Sequence, residues 1–397
     1  MHYDSRWFGL VACVALSVSA GCDVGSETSG GSGGDGGTQA TAGSSAGGTL
    51  GGSAGTSGSG GSSAGSGASG SGGQATGGVA STSGGTGGGA GTSGAGGTAS
   101  VSPRERLLQK LTSLSGDYVL SGQHNREPNS SPAKWTDAIH DTTGKYPALW
   151  SGDFLFQQDN IDHRWDMIAE AKRQAEAGAV VDIMWHACPP NTGDPCGWDS
   201  NGVLSHLSDS DWADLITPGS ELQQKWIARL DEIAVYLQDL EDAGVAILFR
   251  PLHEMNQGAF WWGGRPGPDG TRRLYQITHD YLVKTKGLDN LVWIWDVQDL
   301  SWDFADYSPG ADYFDVAALD VYGDGYTTAK YQAMLDVSEG KPIAIGECQR
   351  LPTAAELEAQ PRWVFFMAWA ELVYDYNSDD EIRALYSSPR VLTRDEL

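Results

Sequence analysis

Val245-Ala-Ile-Leu-Phe-Arg-Pro-Leu-His-Glu-Met-Asn-Gln-Gly-Ala-Phe-Trp-Trp-Gly-Gly264 runs from an unbroken apolar segment straight into Arg250, His253, Glu254 and Asn256, and then into three aromatics. The apolar run suits a strand buried on both faces. In a parallel α/β barrel the carboxyl end of such a strand is where functional side chains are presented, because the loops lining the site begin there. Four polar side chains within seven residues are costly to bury unless they pair, so a site explains them better than a core does. Phe260, Trp261 and Trp262 add flat apolar faces beside polar atoms, which suits a pyranose with its C–H face and rim of hydroxyls. A zinc-protease reading of His253-Glu254 fails, since Gln257 stands where the second His is required and the segment is not helical. No metal or cofactor is expected.

The rest of the chain divides by composition. More than half of its 55 glycines fall between Asp23 and Ser100, in a Gly/Ser/Thr/Ala stretch without one aromatic residue. Ordering such a backbone costs about 1–2 kcal/mol per residue with no apolar surface to offset it, so residues 23–100 are predicted to be a disordered linker. Residues 1–22 read as an export signal, with Arg6, an apolar run from Phe8 to Val18, and Ser19-Ala-Gly-Cys22, which resembles a bacterial lipobox. The expectation is a cell-surface or periplasmic lipoprotein whose only membrane attachment is a lipid on Cys22, with plain secretion as the alternative. Cys188 and Cys196 bracket the turn-rich Pro-Pro-Asn-Thr-Gly-Asp-Pro, which a disulfide would pin in an oxidising compartment, leaving Cys348 unpaired. Of the 51 acidic residues only Asp4, Asp23, Glu27 and Asp35 precede residue 101, so nearly all of the net charge of −26 belongs to residues 101–397. That charge disfavours nucleic acid and anionic glycans and leaves neutral polysaccharide as the partner, bound by a monomer.

From residue 101 onward, strand-like runs at 118–124, 146–154, 179–187, 245–253, 290–298, 314–323, 341–349 and 362–371 alternate with helical patterns. Trp226, Leu230, Ile233, Leu237 and Leu240 recur at steps of three and four, and residues 166–177 form a second amphipathic pattern that stops at Gly178. Eight alternations predict a (β/α)8 barrel. Two carboxylates then stand at strand ends facing each other across the mouth, Glu254 after the fourth strand and Glu347 after the seventh. A facing pair over a sugar-sized gap is the minimum equipment of glycoside hydrolysis. Arg250, on the fourth strand, is placed to reach inward and hold Glu347 ionised. Cys348 reads as a small buried neighbour of Glu347.

Arg250-Pro-Leu-His-Glu-Met-Asn256 with Phe260-Trp-Trp-Gly263, Asp320-Val-Tyr-Gly323 and Ile345-Gly-Glu347 resembles glycoside hydrolase family 26, the β-mannanases of the clan with its two Glu on strands four and seven. The likeness extends to Ser121-Gly-Gln-His124, Trp185-His186 and the ending 386–397. It implies that Glu254 is the general acid/base and Glu347 the nucleophile of a retaining double displacement. It further implies that Tyr322 hydrogen-bonds the nucleophile, that His186 and His253 bind sugar beside the cleaved bond, and that Trp369 is an aromatic floor. Trp261 is expected in the core and Trp262 on the groove. Two departures bear on substrate detail: Ala259, where relatives often carry Trp, and Cys348-Gln-Arg350, where many have an aromatic and Gly. The resulting expectation is an endo-β-1,4-mannanase. A β-1,3-xylanase, a mixed-linkage β-glucanase and a non-catalytic glycan-binding barrel are the alternatives.

Overall fold

The fold follows from eight parallel strands: β1 Val119–His124, β2 Leu149–Asp153, β3 Val180–Trp185, β4 Ile247–Pro251, β5 Leu291–Gln298, β6 Val316–Val321, β7 Ile343–Cys348 and β8 Trp363–Ala368. They pair in sequence order, and β8 returns to β1, closing a barrel. Each lies inside the span expected from the sequence. The computed structural model describes residues 101–397, Glu127 excepted, so the expected leader, the Cys22 anchor and the Gly/Ser linker lie outside the described residues. No helix among the described residues is long and apolar enough to cross a membrane.

Strand alternation sorts the barrel interior into two zones. Leu120, Leu149, Leu248, Val292, Ile294, Val316, Ala318 and Ala344 pack into one apolar cluster. Two residues further along several of these strands, the positions of the same parity become Ser151, Arg250, Asp296 and Asp320, which are joined to one another or to Asp182 by side-chain bonds. The lumen is therefore apolar toward the strand starts and charged toward their ends. The helix Pro103–Leu114 adds Leu111 and Leu114 to the apolar cluster. It starts with a Ser102/Glu105 capping box and Pro103 in the first turn. Arg104 of this helix donates to Leu291 O at 2.7 Å and to the Asp315 carboxylate at 2.7 Å, fixing it against the start of β5.

The outer faces of the strands are buried by helices. Glu221–Asp242 presents the predicted stripe of Trp226, Leu230, Ile233, Leu237 and Leu240, all enclosed. Burying a side chain of this size contributes about 1.5–3 kcal/mol. The helix Arg164–Glu176 ends where the sequence predicts, with Gly178 at φ 97°.

One element was not anticipated. A short strand, β9 (Val391–Leu392), pairs in parallel with Val119 and Leu120 of β1, while β2 pairs with residues 122–124 of β1. Since β8 occupies the other edge of β1, β9 and β2 share one edge. Ser121 sits at their junction, donating to Leu392 O and accepting from Ala148 N. Cys188 and Cys196 are joined, with α-carbons 5.9 Å apart, and Cys348 is free and buried.

Candidate active site

The site is built around Arg250, which is 1% exposed. Its Nη1 donates to Asp296 at 3.1 Å and to Asp320 at 3.0 Å, and its Nη2 donates to Glu347 Oε1 at 2.7 Å. A buried guanidinium demands such partners, because leaving one charge uncompensated would be strongly destabilising. The other oxygen of Glu347 accepts the Tyr322 hydroxyl at 2.6 Å. Burial and the charge of Glu347 raise the phenol's pKa well above its ordinary value, so Tyr322 stays a donor.

Glu347 reaches this position through a β-bulge. Leu319 is aligned with Ile345 but Asp320 with Glu347, so Gly346 is an extra residue on β7. Side chains alternate faces along a strand, so in a regular β7 Glu347 would share the outward face of Ile345, and the bulge is what turns it into the lumen. Gly346 also has no room for a side chain: a Cβ there would lie 2.3 Å from Asp296 Oδ2 and 2.5 Å from Asp320 Oδ1.

Glu254 is brought in by strained backbone. Leu252 and Glu254 have φ of 53° and 51°, a left-handed conformation rare for residues with side chains. Leu155 and Ala370, just past β2 and β8, share it, so four of the five such non-glycine residues among those described lie at the strand ends. Strain of about 1–3 kcal/mol per residue is retained only where surroundings over-determine it. Here the Glu254 N–H donates to Asp296 Oδ1 at 3.0 Å and Gln257 Nε2 donates to Glu254 Oε2 at 2.6 Å.

One carboxylate oxygen from each of Glu254, Asp320 and Glu347 lies within 4.8 Å of the others. This is also the one group among the described residues with the donor spacing of a cation site, and the Arg250 guanidinium stands against two of its members. With so many carboxylates around one cation, not all can ionise. Burial, then the charges of Glu347 and Asp296, raise Glu254 well above the ordinary glutamate value. Burial and the charges of Asp296 and Glu347 likewise raise Asp320, and burial lifts Asp296 to about 6.

His186 and His253 form a relay beside this cluster. Asp153, which burial would push up, is held down at about 2 by His186. Its Oδ2 accepts a hydrogen bond from His186 Nδ1 at 2.5 Å, and His186 Nε2 lies 3.1 Å from His253 Nε2. Burial keeps His253 neutral by lowering its pKa well below the usual value. Trp369 stacks on His124 with centroids 4.2 Å apart and meets His186 edge-on at 5.8 Å, and at 1% exposure it packs behind these rings instead of presenting the expected floor. His124, Ser151 and Asp182 are also bonded in series, but the serine lies between the other two and is fully buried, so the set is no hydrolase triad.

The structure corrects the placement of Trp262. It is 0% exposed, donates Nε1–H to His253 O at 2.8 Å and stacks on Phe260 at 4.5 Å, so it braces His253 from behind and offers no face to a groove. Trp261 is core as expected, donating to Ala187 O. Cys348 beside Glu347 is inert, because burial raises its thiol to about 12. Asp296, Asp320, Gln257 and Gly346 carry weight that the sequence reading did not assign.

A sequence profile described as glycosyl hydrolase family 26 matches residues 99–396. The chain belongs to that family. Among curated relatives, a mannan endo-1,4-β-mannosidase of Thermothelomyces thermophilus is 32% identical over 306 residues, covering 73% of this chain and 60% of the relative. Another of the same name from Bacillus subtilis is 28% identical, covering 65% of this chain and 76% of its own length. The solved structure of GH26A from Muricauda sp. is similar with a TM-score of 0.71 and 36% identity, covering 76% of this chain and 99% of that one. A β-mannanase from a symbiotic protist of the termite Reticulitermes speratus, solved with gluco-manno-oligosaccharide, gives 0.65 and 26%, covering 75% and 95%. Family 26 membership agrees with the motif reading, while the chain spans only 60% of the length of the Thermothelomyces relative.

Proposed function

We propose that this family 26 protein is a retaining endo-β-1,4-mannanase that cleaves the backbone of neutral mannans. The observation that carries the reading is the approach of Glu254 and Glu347 to within 4.8 Å, oxygen to oxygen. Retaining glycosidases hold their carboxyl groups about 5–5.5 Å apart, whereas inverting ones leave about 6.5–9.5 Å for a water. The relatives named as mannan endo-1,4-β-mannosidases favour mannan over β-1,3-xylan or mixed-linkage glucan.

In this reading Glu254 enters protonated. Gln257 donates to its Oε2, which leaves the proton to Oε1, and that proton passes to the glycosidic oxygen as the bond breaks. Glu347, held by Arg250 and Tyr322, attacks the anomeric carbon and forms a glycosyl ester. Once Glu347 is esterified, the charge that raised Glu254 is gone. Glu254 then takes a proton from water, which attacks the same carbon and releases Glu347. His186 and His253 orient sugar hydroxyls, and Trp369, enclosed against His124 and His186, holds those rings in place at the cleavage point. The domain acts as a monomer outside the cytoplasm, tethered through Cys22 by the Gly/Ser linker, and the Cys188–Cys196 bridge fits an oxidising compartment.

Azide rescue tests the roles. With an activated aryl β-mannobioside, Glu347→Ala plus azide should give the α-glycosyl azide and Glu254→Ala plus azide the β-azide. The opposite pairing, or no azide adduct with either variant, would overturn the assignment.

A further inference from the structure

Outside the carboxylate cluster, the barrel mouth carries an exposed indole held in a fixed pose. Trp302, in the loop after β5, is 57% exposed and its neighbour Leu300 is 42% exposed. The Lys330 ammonium sits 3.7 Å from the Trp302 ring centroid, and Lys330 itself is fully buried. Its Nζ also donates to Ser301 O, and Asp324 lies 4.0 Å away. Burying an ammonium opposes its charge, and Lys330's pKa is lowered accordingly. A lysine so placed fixes one face of the indole by a cation–π contact and leaves the other open.

The loop is tied to both halves of the proposed machinery. Asn256, two residues past Glu254, donates to Ser301 Oγ at 2.7 Å and to Gln298 O at 2.8 Å, and accepts from Gln298 N. Asp299 accepts the backbone N–H groups of Tyr322, Gly323 and Gly325, which fixes the segment carrying the partner of Glu347. The loop that carries Trp302 is therefore bonded to the loop that carries Glu254. The fragment that leaves with Glu254's proton departs on Glu254's side of the broken bond, and His124, His186 and Trp369 crowd the side of β1, β3 and β8.

We propose that Trp302 is the stacking platform for a sugar of the neutral β-linked chain on the leaving-group side of the cleaved bond, set by Lys330. A flat apolar face beside a strongly acidic domain suits an uncharged pyranose and no polyanion. The proposal rests on the mannanase reading above.

Wild type, Trp302→Ala and Trp302→Phe are compared on mannohexaose and on β-mannotriosyl fluoride, which has only fluorine beyond the cleaved bond. Taking the ratio within each preparation cancels any loss of folded enzyme. Trp302→Ala should lose about tenfold more kcat/KM on the hexaose than on the fluoride, chiefly through KM, with Trp302→Phe recovering most of it. Equal losses on both substrates, or no loss on the hexaose, would overturn the platform. A wild type that cleaves neither substrate would instead refute the mannanase reading, and the platform with it.

Discussion

Gly346→Ala places one methyl group where two buried carboxylates already stand. Its Cβ would lie 2.3 Å from Asp296 and 2.5 Å from Asp320, so these oxygens must retreat by on the order of 1 Å to reach ordinary contact. They cannot do so freely, because Arg250 Nη1 holds these oxygens at 3.1 and 3.3 Å, and a retreat of that size breaks those bonds. Gly346 is not among the glycines at positive φ, so backbone conformation alone does not oppose alanine there. Alanine would then gain about 0.4–1 kcal/mol by restricting the unfolded chain. Overpacking costs about 1–3 kcal/mol, so the steric term wins and the variant should be less stable. The larger effect falls on the rate. Asp296 fixes the Glu254 N–H and Arg250 fixes Glu347, so both carboxylates shift, and a misplacement of about 1 Å costs about 10²-fold. Denaturant unfolding with kcat on soluble mannan measures both. A variant that unfolds at the wild-type midpoint and keeps more than half of its kcat would show that the bare α-carbon at the bulge is not what packs the cluster.

The raised pKa of Glu254 bears on pH: the proton donor is lost as pH rises through that value, so the basic limb of kcat/KM should lie well above the ordinary 4.5, and a limb near 4.5 would contradict the assignment. Replacing Cys188 and Cys196 by Ala opens a loop with a separation of 8 residues and should cost about 2–3 kcal/mol in chemical unfolding. Thiol titration of the denatured, unreduced domain should find Cys348 alone. Asp182 is lifted by burial from 3.8 to about 7, so its stabilisation is complete below the unfolded value and fades as pH climbs to 7 and beyond. Asp182→Asn should accordingly flatten the fall in unfolding free energy between about pH 4 and about pH 8, and an unchanged slope would place that titration elsewhere.

The barrel was legible because its cause is periodic. Runs such as 245–253 and 290–298 are apolar on both faces, and the Trp226-to-Leu240 stripe has helical spacing; both signals survive without tertiary information. Glu254, Glu347 and Arg250 were legible as polar residues where a buried strand should stop. The two-residue step from Val292 and Ile294 to Asp296, and from Ala318 to Asp320, also stands in the sequence, so the acidic partners of Arg250 were readable from period-2 alternation. Trp262 was misplaced because adjacent aromatics look alike in sequence, and only packing decides that its indole faces His253 O. The bulge at Gly346 and the pairing of β9 with β1 depend on register between distant strands, for which a single sequence carries no local sign. The strained Leu252 and Glu254 were likewise hidden, since a left-handed turn without glycine contradicts local preference and is imposed by the surrounding site.

The wedge of Val391–Leu392 beside β1 also sets a schedule. Ser121 and Leu392 are separated by 271 positions, and until the latter emerges half of β1's edge has no ladder partner. At a synthesis rate of about 5–20 residues per second, β1 waits roughly 15 to 55 seconds with those groups unpaired. Such an edge invites pairing with other chains, so a nascent molecule that is stalled or clipped before residue 391 is open to aggregation along its first strand. β8 closes the barrel, but the edge of β1 beside β2 is covered only when residues 391–392 follow, which makes the seam a late test of the whole domain.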